Sequence, residues 1–408
     1  MKRIKLGDVC HISSAGDKPS EFSSTLTGEY MVPVVANGVE NNGIIGYTSK
    51  PTVTEPAVTV SARGNVGAAF FRDTPYYPVI RLLTLIPNSD ELDVKYLYYY
   101  LKKHPIRGDG SVQAQITVPD AKQYAIFAIE DVSVQKKIAS VLSCLDAKIE
   151  NNNAICADLE GMAKLLYDYW FVQFDFPDEN GKPYMSSGGK MVWNEELKRE
   201  IPEGWEVIRL GDYITADRGI SYNSNTLEGS GVPMINLASF NVDSTYKASG
   251  LKTYSGAYGE DQVLRPYDLV MCNTQQTAID PAKDIIGKTL LVPDIFDGDI
   301  VSSHHVTTIH VADDAFKYYL HAESKTTWFH KYVAGFASGT NILGLDFNGV
   351  LNYKMPIPPK EIMSKFANIS HSSEARKNEV IRENADLVGL RDFLLPMLMN
   401  GQVKVKGA

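Results

Sequence analysis

Ile4-Lys5-Leu6-Gly7-Asp8 recurs 204 residues later as Ile208-Arg209-Leu210-Gly211-Asp212. Farther along, Val134-Gln135-Lys136-Lys137-Ile138-Ala139-Ser140 aligns with Ile362-Met363-Ser364-Lys365-Phe366-Ala367-Asn368 at an offset of 228, so the second copy is about 24 residues longer inside its globular part. A period near 200 residues is too long for a solenoid repeat. It implies two whole domain-plus-helix units related by a pseudo-twofold. Each copy ends alike, in a strand-like apolar stretch, a turn and a long helical pattern.

The globular part of each copy reads as mostly β. Val58-Thr59-Val60-Ser61 and Arg81-Leu82-Leu83-Thr84-Leu85-Ile86 have strand composition, and clusters such as Asn41-Asn42-Gly43 punctuate them. In the second copy His305-Val306-Thr307-Thr308-Ile309-His310-Val311 reads as a strand. Val94 to Lys103 and Ala315 to Glu323 read as short helices.

The long helix of the first copy carries Ile138, Leu142, Leu145, Ile149, Asn152, Cys156, Leu159, Ala163, Leu166 and Trp170 at alternating spacings of four and three. That is a heptad seam sustained for more than four repeats, and such a stripe is buried only against another long helix. Ser133 is the expected N-cap. The gap-free counterpart is Phe366, Ser370, Ser373, Lys377, Val380, Asn384, Leu387, Arg391, Leu394 and Leu398, of which only five are apolar. The polar middle predicts local looseness, or a seam rotated toward Ile369, Ile381 and Leu390. Asn152 either fixes the register or is a tolerated, partly exposed residue. The expected fold is therefore α+β: two β-rich domains separated by two long antiparallel coiled-coil helices. Residues 1–131 form the first domain, 132–174 a spacer helix, 175–204 a linker, 205–358 the second domain and 359–400 the C-terminal helix.

The 408 residues, 44% hydrophobic and 22% charged, suit a soluble multidomain protein. No apolar run reaches the roughly 18 residues of a membrane helix. Met1-Lys2-Arg3 leads into polar sequence with no apolar signal core. Cys10, Cys144, Cys156 and Cys272 show no CxxC spacing, which argues against a disulfide framework or zinc site and fits a cytoplasmic protein.

Pro202-Glu203-Gly204-Trp205-Glu206-Val207, running into Leu210-Gly211-Asp212, resembles the start of the second recognition domain in DNA-specificity subunits of type I restriction–modification systems. Tyr169-Trp170-Phe171-Val172-Gln173-Phe174 closes the first helix as in that family. Asn180-Gly181-Lys182-Pro183-Tyr184, followed by Ser186-Ser187-Gly188-Gly189, is similar to its linker. Leu390-Arg391-Asp392-Phe393-Leu394-Leu395-Pro396 and Met399-Asn400-Gly401-Gln402 resemble its C-terminal end. Order and duplication match over essentially the whole chain. The resemblance implies two target recognition domains, each reading one half of a bipartite, asymmetric site in double-stranded DNA. It also implies helices that set the spacing and dock two methyltransferase subunits, with restriction/translocase subunits as further partners. Such a subunit is non-catalytic and holds no cofactor; S-adenosylmethionine is expected on the methyltransferase. The net charge of −9 is unusual for a DNA binder. Residues 1–130 balance 13 basic against 13 acidic side chains, and residues 205–355 carry 11 against 17. Tight binding must then come from base contacts or a more basic partner.

No catalytic constellation stands out. There is no Asn-Pro-Pro-Tyr-like or Asp-Pro-Pro-Tyr-like motif, and Arg63-Gly64-Asn65-Val66-Gly67 is neither G-x-G-x-x-G nor a Walker A loop. His304, His305 and His310 lack a completing ligand pattern, and strand neighbours face opposite ways, so a structural or surface role is expected. Arg63 and Asn65 follow a probable strand in a glycine-flanked loop, and Asn273, Gln275 and Gln276 hold the comparable place in the second copy. Arg pairs bidentately with guanine, and Asn or Gln with adenine, so these are candidate DNA contacts beside ordinary loop polarity. Ser111, Gln113, Thr340 and Asn341 precede the long helices in similar positions. Lys102, Lys103 and Arg107 suit phosphate, or a solvated helix end. Tyr98-Tyr99-Tyr100 reads as packing rather than base stacking. Ile138, Leu142, Leu145, Ile149, Leu159, Leu166, Phe366, Leu387 and Leu394 are the expected helix-pairing and partner-docking positions. The competing readings are a stand-alone DNA-modifying enzyme, which the missing motifs oppose, and a coiled-coil scaffold, which leaves the duplicated β domains unexplained.

Overall fold

The computed structural model describes residues 1–108, 114–227, 230–276 and 283–403. The chain forms two compact units, Met1–Asn151 with Asn384–Ala408, and Asn152–Glu383. Both boundaries fall inside the long helices, Val132–Tyr167 and Lys360–Met399. Among the described residues no helix is long and apolar enough to cross a membrane.

In the first unit, Lys2–Lys5 pairs antiparallel with Ala125–Ala128, Lys2 opposite Ala128. A four-stranded antiparallel sheet follows in the order Cys10–Ser14, Leu83–Pro87, Ala57–Val60, Ala69–Arg72. A second sheet joins Ile44–Thr48, Val32–Val35 and Tyr77–Pro78. The helix Val94–Lys103 begins where the Asp93 carboxylate accepts the Tyr96 amide, one of the donors a helix start leaves unpaired. It buries Tyr96, Leu97, Tyr99, Tyr100 and Leu101. The Tyr99 hydroxyl donates to Asp146 Oδ2 at 2.7 Å, and Tyr100 Oη accepts the Phe127 amide at 3.1 Å, so this tyrosine run packs and braces.

The second unit repeats the scheme. Glu206–Arg209 pairs with Lys354–Ile357. Ile214–Arg218, Val306–Val311, Leu269–Cys272 and Thr289–Leu291 reproduce the order of the first sheet. The additions are the helix Thr327–Ala334 and a small sheet of Thr274–Gln276, Ile342–Leu345 and Ala337–Ser338. Tyr167, Trp170, Phe171, Phe174 and Phe176 lie in one apolar core with Trp205 and Phe366, around a π-helical turn at Asp168–Val172 that ends the first long helix.

The long helices pair antiparallel within each unit. In the first, Ile138, Ala139 and Leu142 share a core with Leu395, Leu398 and Met399, and Arg391 NH1 meets Asp146 Oδ1 at 2.8 Å. In the second, Asn152 Nδ2 donates to Glu383 Oε2 at 2.8 Å, Lys377 Nζ contacts Glu160, and the rings of Tyr167, Trp170 and Phe171 surround Phe366. Asn152 is buried on the seam, as the register reading requires. The seam is not rotated: Ile369 and Leu390 are each 46% exposed, whereas Lys377 is only 8% exposed. Its polar positions are held by charges on the facing helix, which a single helix's own pattern does not reveal. The first turn also differs from expectation. Asp131 rather than Ser133 closes it, its carboxylate accepting the Ser133 amide and its carbonyl those of Val134 and Gln135.

Candidate nucleic-acid interface

The loop after Ala57–Val60 is built by backbone hydrogen bonds. Gly67 N donates to Ser61 O at 2.9 Å and Ile116 N to Ala62 O at 3.0 Å. In the second unit Gly287 N donates to Cys272 O at 2.8 Å and Leu345 N to Asn273 O at 2.8 Å. Gly67 and Gly287 both adopt left-handed φ, +86° and +72°. A Cβ on Gly67 would lie 2.5 Å from the Ile106 carbonyl oxygen, so only glycine fits there. The two loops are one scaffold carrying different side chains.

In the first unit Arg63 and Asn65 are exposed on this loop. Gln115 Oε1 accepts from Arg63 Nε at 3.1 Å and NH2 at 2.8 Å, which fixes the guanidinium. Exposed Arg107 follows Ile106, whose carbonyl lies against Gly67, so its backbone is beside this loop. Lys102 and Lys103 are exposed at the end of their helix, with the Lys102 ammonium 5.5 Å from the centre of the Tyr98 ring; no contact ties either lysine to the loop among the described residues. Ser111 and Gln113 lie outside the described residues. Asn37, 25 positions before Ala62, was missed: its Oδ1 accepts the Ala62 amide at 2.7 Å while its Nδ2 donates to Ile80 O at 2.6 Å. It joins the loop to a second turn, at Val79–Leu82.

In the second unit, expectation and structure part at two residues. Asn273 is buried and donates to Thr307 Oγ1 at 2.8 Å and His304 O at 3.3 Å. Gln275 is buried and accepts the amides of Ile285 and Ile286. Both face inward rather than outward: Gln275 satisfies two backbone amides of the longer loop, and Asn273 ties the loop to the turn and strand at His304 and Thr307. Gln276 is exposed, and its strand places it opposite Ile342, next to exposed Thr340 and Asn341. These three therefore share one sheet end.

Beside it is a basic, aromatic cluster that the sequence reading missed as a group. The Arg218 Nε donates to His304 O at 2.7 Å, the His304 and His305 rings lie 3.8 Å apart, Tyr222 lies 5.3 Å from His304, and Lys252 Nζ is 5.1 Å from the Tyr222 centroid. Burial, then His304, Arg218 and Lys252, lower the His305 pKa, which favours a neutral ring; its Nδ1 lies 2.7 Å from Thr274 Oγ1. His310 is apart from them, near Asp217.

Of the helix positions, Ile138, Leu142 and Phe366 are buried, and Leu145, Ile149, Leu159, Leu166, Leu387 and Leu394 are half-buried.

The family model for the type I restriction modification DNA specificity domain matches residues 1–161. A Mycoplasma pneumoniae protein named as a type I specificity subunit is 33% identical over 171 residues, 41% of this chain and 50% of that protein. The chain thus spans about half the length of this relative. The C-terminal part of another such M. pneumoniae subunit is 34% identical over 125 residues, 30% of this chain and 84% of that polypeptide. The crystal structure of a type I restriction–modification S subunit from M. genitalium superposes with a TM-score of 0.59 at 16% identity, covering 97% of this chain and 95% of that one, and so shares the fold. With a duplicated β-rich domain on paired long helices and these relatives, the chain belongs to the family of type I restriction–modification DNA specificity subunits.

Proposed function

We propose that this chain is the non-catalytic, sequence-reading subunit of a cytoplasmic type I restriction–modification complex. Each recognition domain reads one half of a bipartite, asymmetric DNA site. The observation that carries this reading is the duplicated loop scaffold: identical backbone bonds at Ala62 and Asn273, left-handed glycines at 67 and 287, and different side chains at the surface. Two such readers on one polypeptide suit two different half-sites. The 36-residue first helix extends about 54 Å at roughly 1.5 Å per residue, more than the ~34 Å of one DNA turn, which supports a spacer role. Acidic charge keeps the non-specific phosphate contribution small, so base contacts and the partner's surface dominate affinity.

The partner is a methyltransferase carrying S-adenosylmethionine, bound in two copies. Support comes from the helix surfaces away from the seam. Met162 and Leu165 are 65% and 69% exposed; Leu390 and Phe393, at the same 228-residue offset that aligns the helices, are 46% and 60% exposed. Exposed apolar pairs one helical turn apart, repeated at equivalent places, suit two copies of one apolar helix face.

The test mixes the chain with the methyltransferase of its own system, labelled S-adenosylmethionine and DNA. The chain alone transfers no methyl group, and the complex holds two methyltransferases per chain. Leu165→Asp or Phe393→Asp leaves one, and the double variant none, with thermal unfolding changed by less than about 0.5 kcal/mol because both sites are on the surface. Methyl transfer by the chain alone contradicts the non-catalytic role. Full stoichiometry in the double variant contradicts the docking faces.

A further inference from the structure

We propose that the turn Val79–Leu82 reads bases of the first half-site through Ile80 and Arg81 at its tip; this rests on, and deepens, the DNA-specificity role. Leu82 N donates to Val79 O at 3.2 Å, closing a four-residue turn. Both central residues are left-handed, Ile80 at φ +56° and Arg81 at +59°. That backbone suits Asn-Gly, and a β-branched residue is the most strained choice for it. The strain is imposed from several sides: Ile80 N donates to Gly16 O at 2.9 Å, Arg81 N to Ala15 O at 3.2 Å, and Asn37 Nδ2 to Ile80 O at 2.6 Å.

Stability does not explain the two side chains. Ile80 is 51% exposed, and the guanidinium of exposed Arg81 has no bonding partner among the described residues. A strained, braced backbone presenting an unpartnered guanidinium and an uncovered branched alkyl group has the chemistry to pair with guanine and to touch a thymine methyl. Asn37 holds this tip against the Arg63 loop, so both face the same ligand.

The second unit supplies an independent observation. Its turn Ser303–Val306 is closed by Val306 N to Ser303 O at 2.8 Å and held by His304 N to Ile220 O at 2.8 Å and Ser303 N to Ile235 O at 2.9 Å. Val79 N to Val35 O at 2.9 Å is the matching bond in the first unit. The anchoring hydrogen bonds are shared, but the tip is a left-handed Ile-Arg in one unit and a His-His without positive φ in the other. A structural turn has no need of that divergence; a pair of readers for two different half-sites requires it.

The experiment sequences DNA methylation in cells carrying the wild-type subunit, Ile80→Asn/Arg81→Gly, or Arg81→Ala alone, each with its methyltransferase. Wild type yields a bipartite motif; if it does not, the specificity role itself fails. Both variants relax one or two adjacent positions of one half-site, by about 5- to 150-fold in discrimination, and leave the other half intact. The Asn-Gly variant also unfolds about 2–4 °C higher, since the strain is relieved. Arg81→Ala keeps the backbone residue count and carries the test if the double variant is insoluble. An unchanged motif overturns the proposal. So does loss of methylation without any base-specific relaxation, which would make the turn a general contact.

Discussion

Leu142→Asp should unfold the first unit. Leu142 has no solvent exposure and lies in one core with Ile138, Leu395 and Leu398, where the long helices meet the β domain. Truncating such a leucine costs about 2–5 kcal/mol. A carboxylate at the same point adds the cost of burying a polar group that no neighbour pairs, several kcal/mol more. The sum, upwards of about 5 kcal/mol, is comparable to the whole stability of a domain. Circular dichroism and limited proteolysis would then report loss of structure in residues 1–151 at room temperature. Leu165→Asp, on the same helix but 69% exposed, serves as the control and keeps its structure. A Leu142→Asp protein that melts like wild type would show that this helix is not paired as described.

The second large effect is expected at Lys377. Its ammonium is almost fully buried among Glu374 and Glu160, and Glu160 also meets Lys325 at 2.7 Å. Burial by itself would lower the Lys377 pKa, but the carboxylates of Glu374 and Glu160 outweigh it and hold the pKa above the ordinary value. Burial would likewise raise Glu160, and Lys325 and Lys377 overcome that and hold it low. A depressed carboxylate contributes stability above its unfolded pKa of about 4.3, and that contribution is lost as pH falls through the folded value. A raised ammonium contributes fully below about 10.4, and that contribution is lost as pH rises through the folded value. The network therefore stabilises the second unit between roughly pH 5 and 10. Lys377→Met strands Glu160 and Glu374 with only Lys325 between them. Breaking a buried pair costs about 3–5 kcal/mol, reduced to about 2–4 here because both carboxylates keep some solvent access. Urea unfolding of the second unit should show that deficit at pH 7 and a smaller one at acid pH, below the folded pKa of Glu160. An equal deficit at both pH values would mean that lost packing, not lost charge, is responsible.

These two positions also mark what the sequence discloses. The first helix is legible because its seam is apolar at Ile138, Leu142 and Phe171's neighbours, and spacing alone reveals it. The second is only half legible. Lys377 and Arg391 look like surface residues until Glu160 and Asp146, more than 200 positions away, are seen against them. The duplication is fully legible from short motifs and extends to individual backbone hydrogen bonds. The candidate reading face is the least legible part. Asn273 and Gln275 have the residue types of base readers but are turned inward, Asn273 to the His304 carbonyl and the Thr307 hydroxyl and Gln275 to the amides of Ile285 and Ile286. Arg81 reads in sequence as the start of a strand, but the strand begins at Leu83 and Arg81 has a left-handed backbone held by Ala15 and by Asn37's grip on the neighbouring carbonyl.

On the proposed function, each recognition domain is an independent reader whose spacing is set elsewhere in the chain. Exchanging residues 1–131 for the corresponding domain of another family member, then mapping methylated bases across the host genome, decides it. One half of the methylated motif should change, while the other half and the gap between them stay as they were. A motif altered in both halves, or one whose gap changes with the exchanged domain, would contradict it.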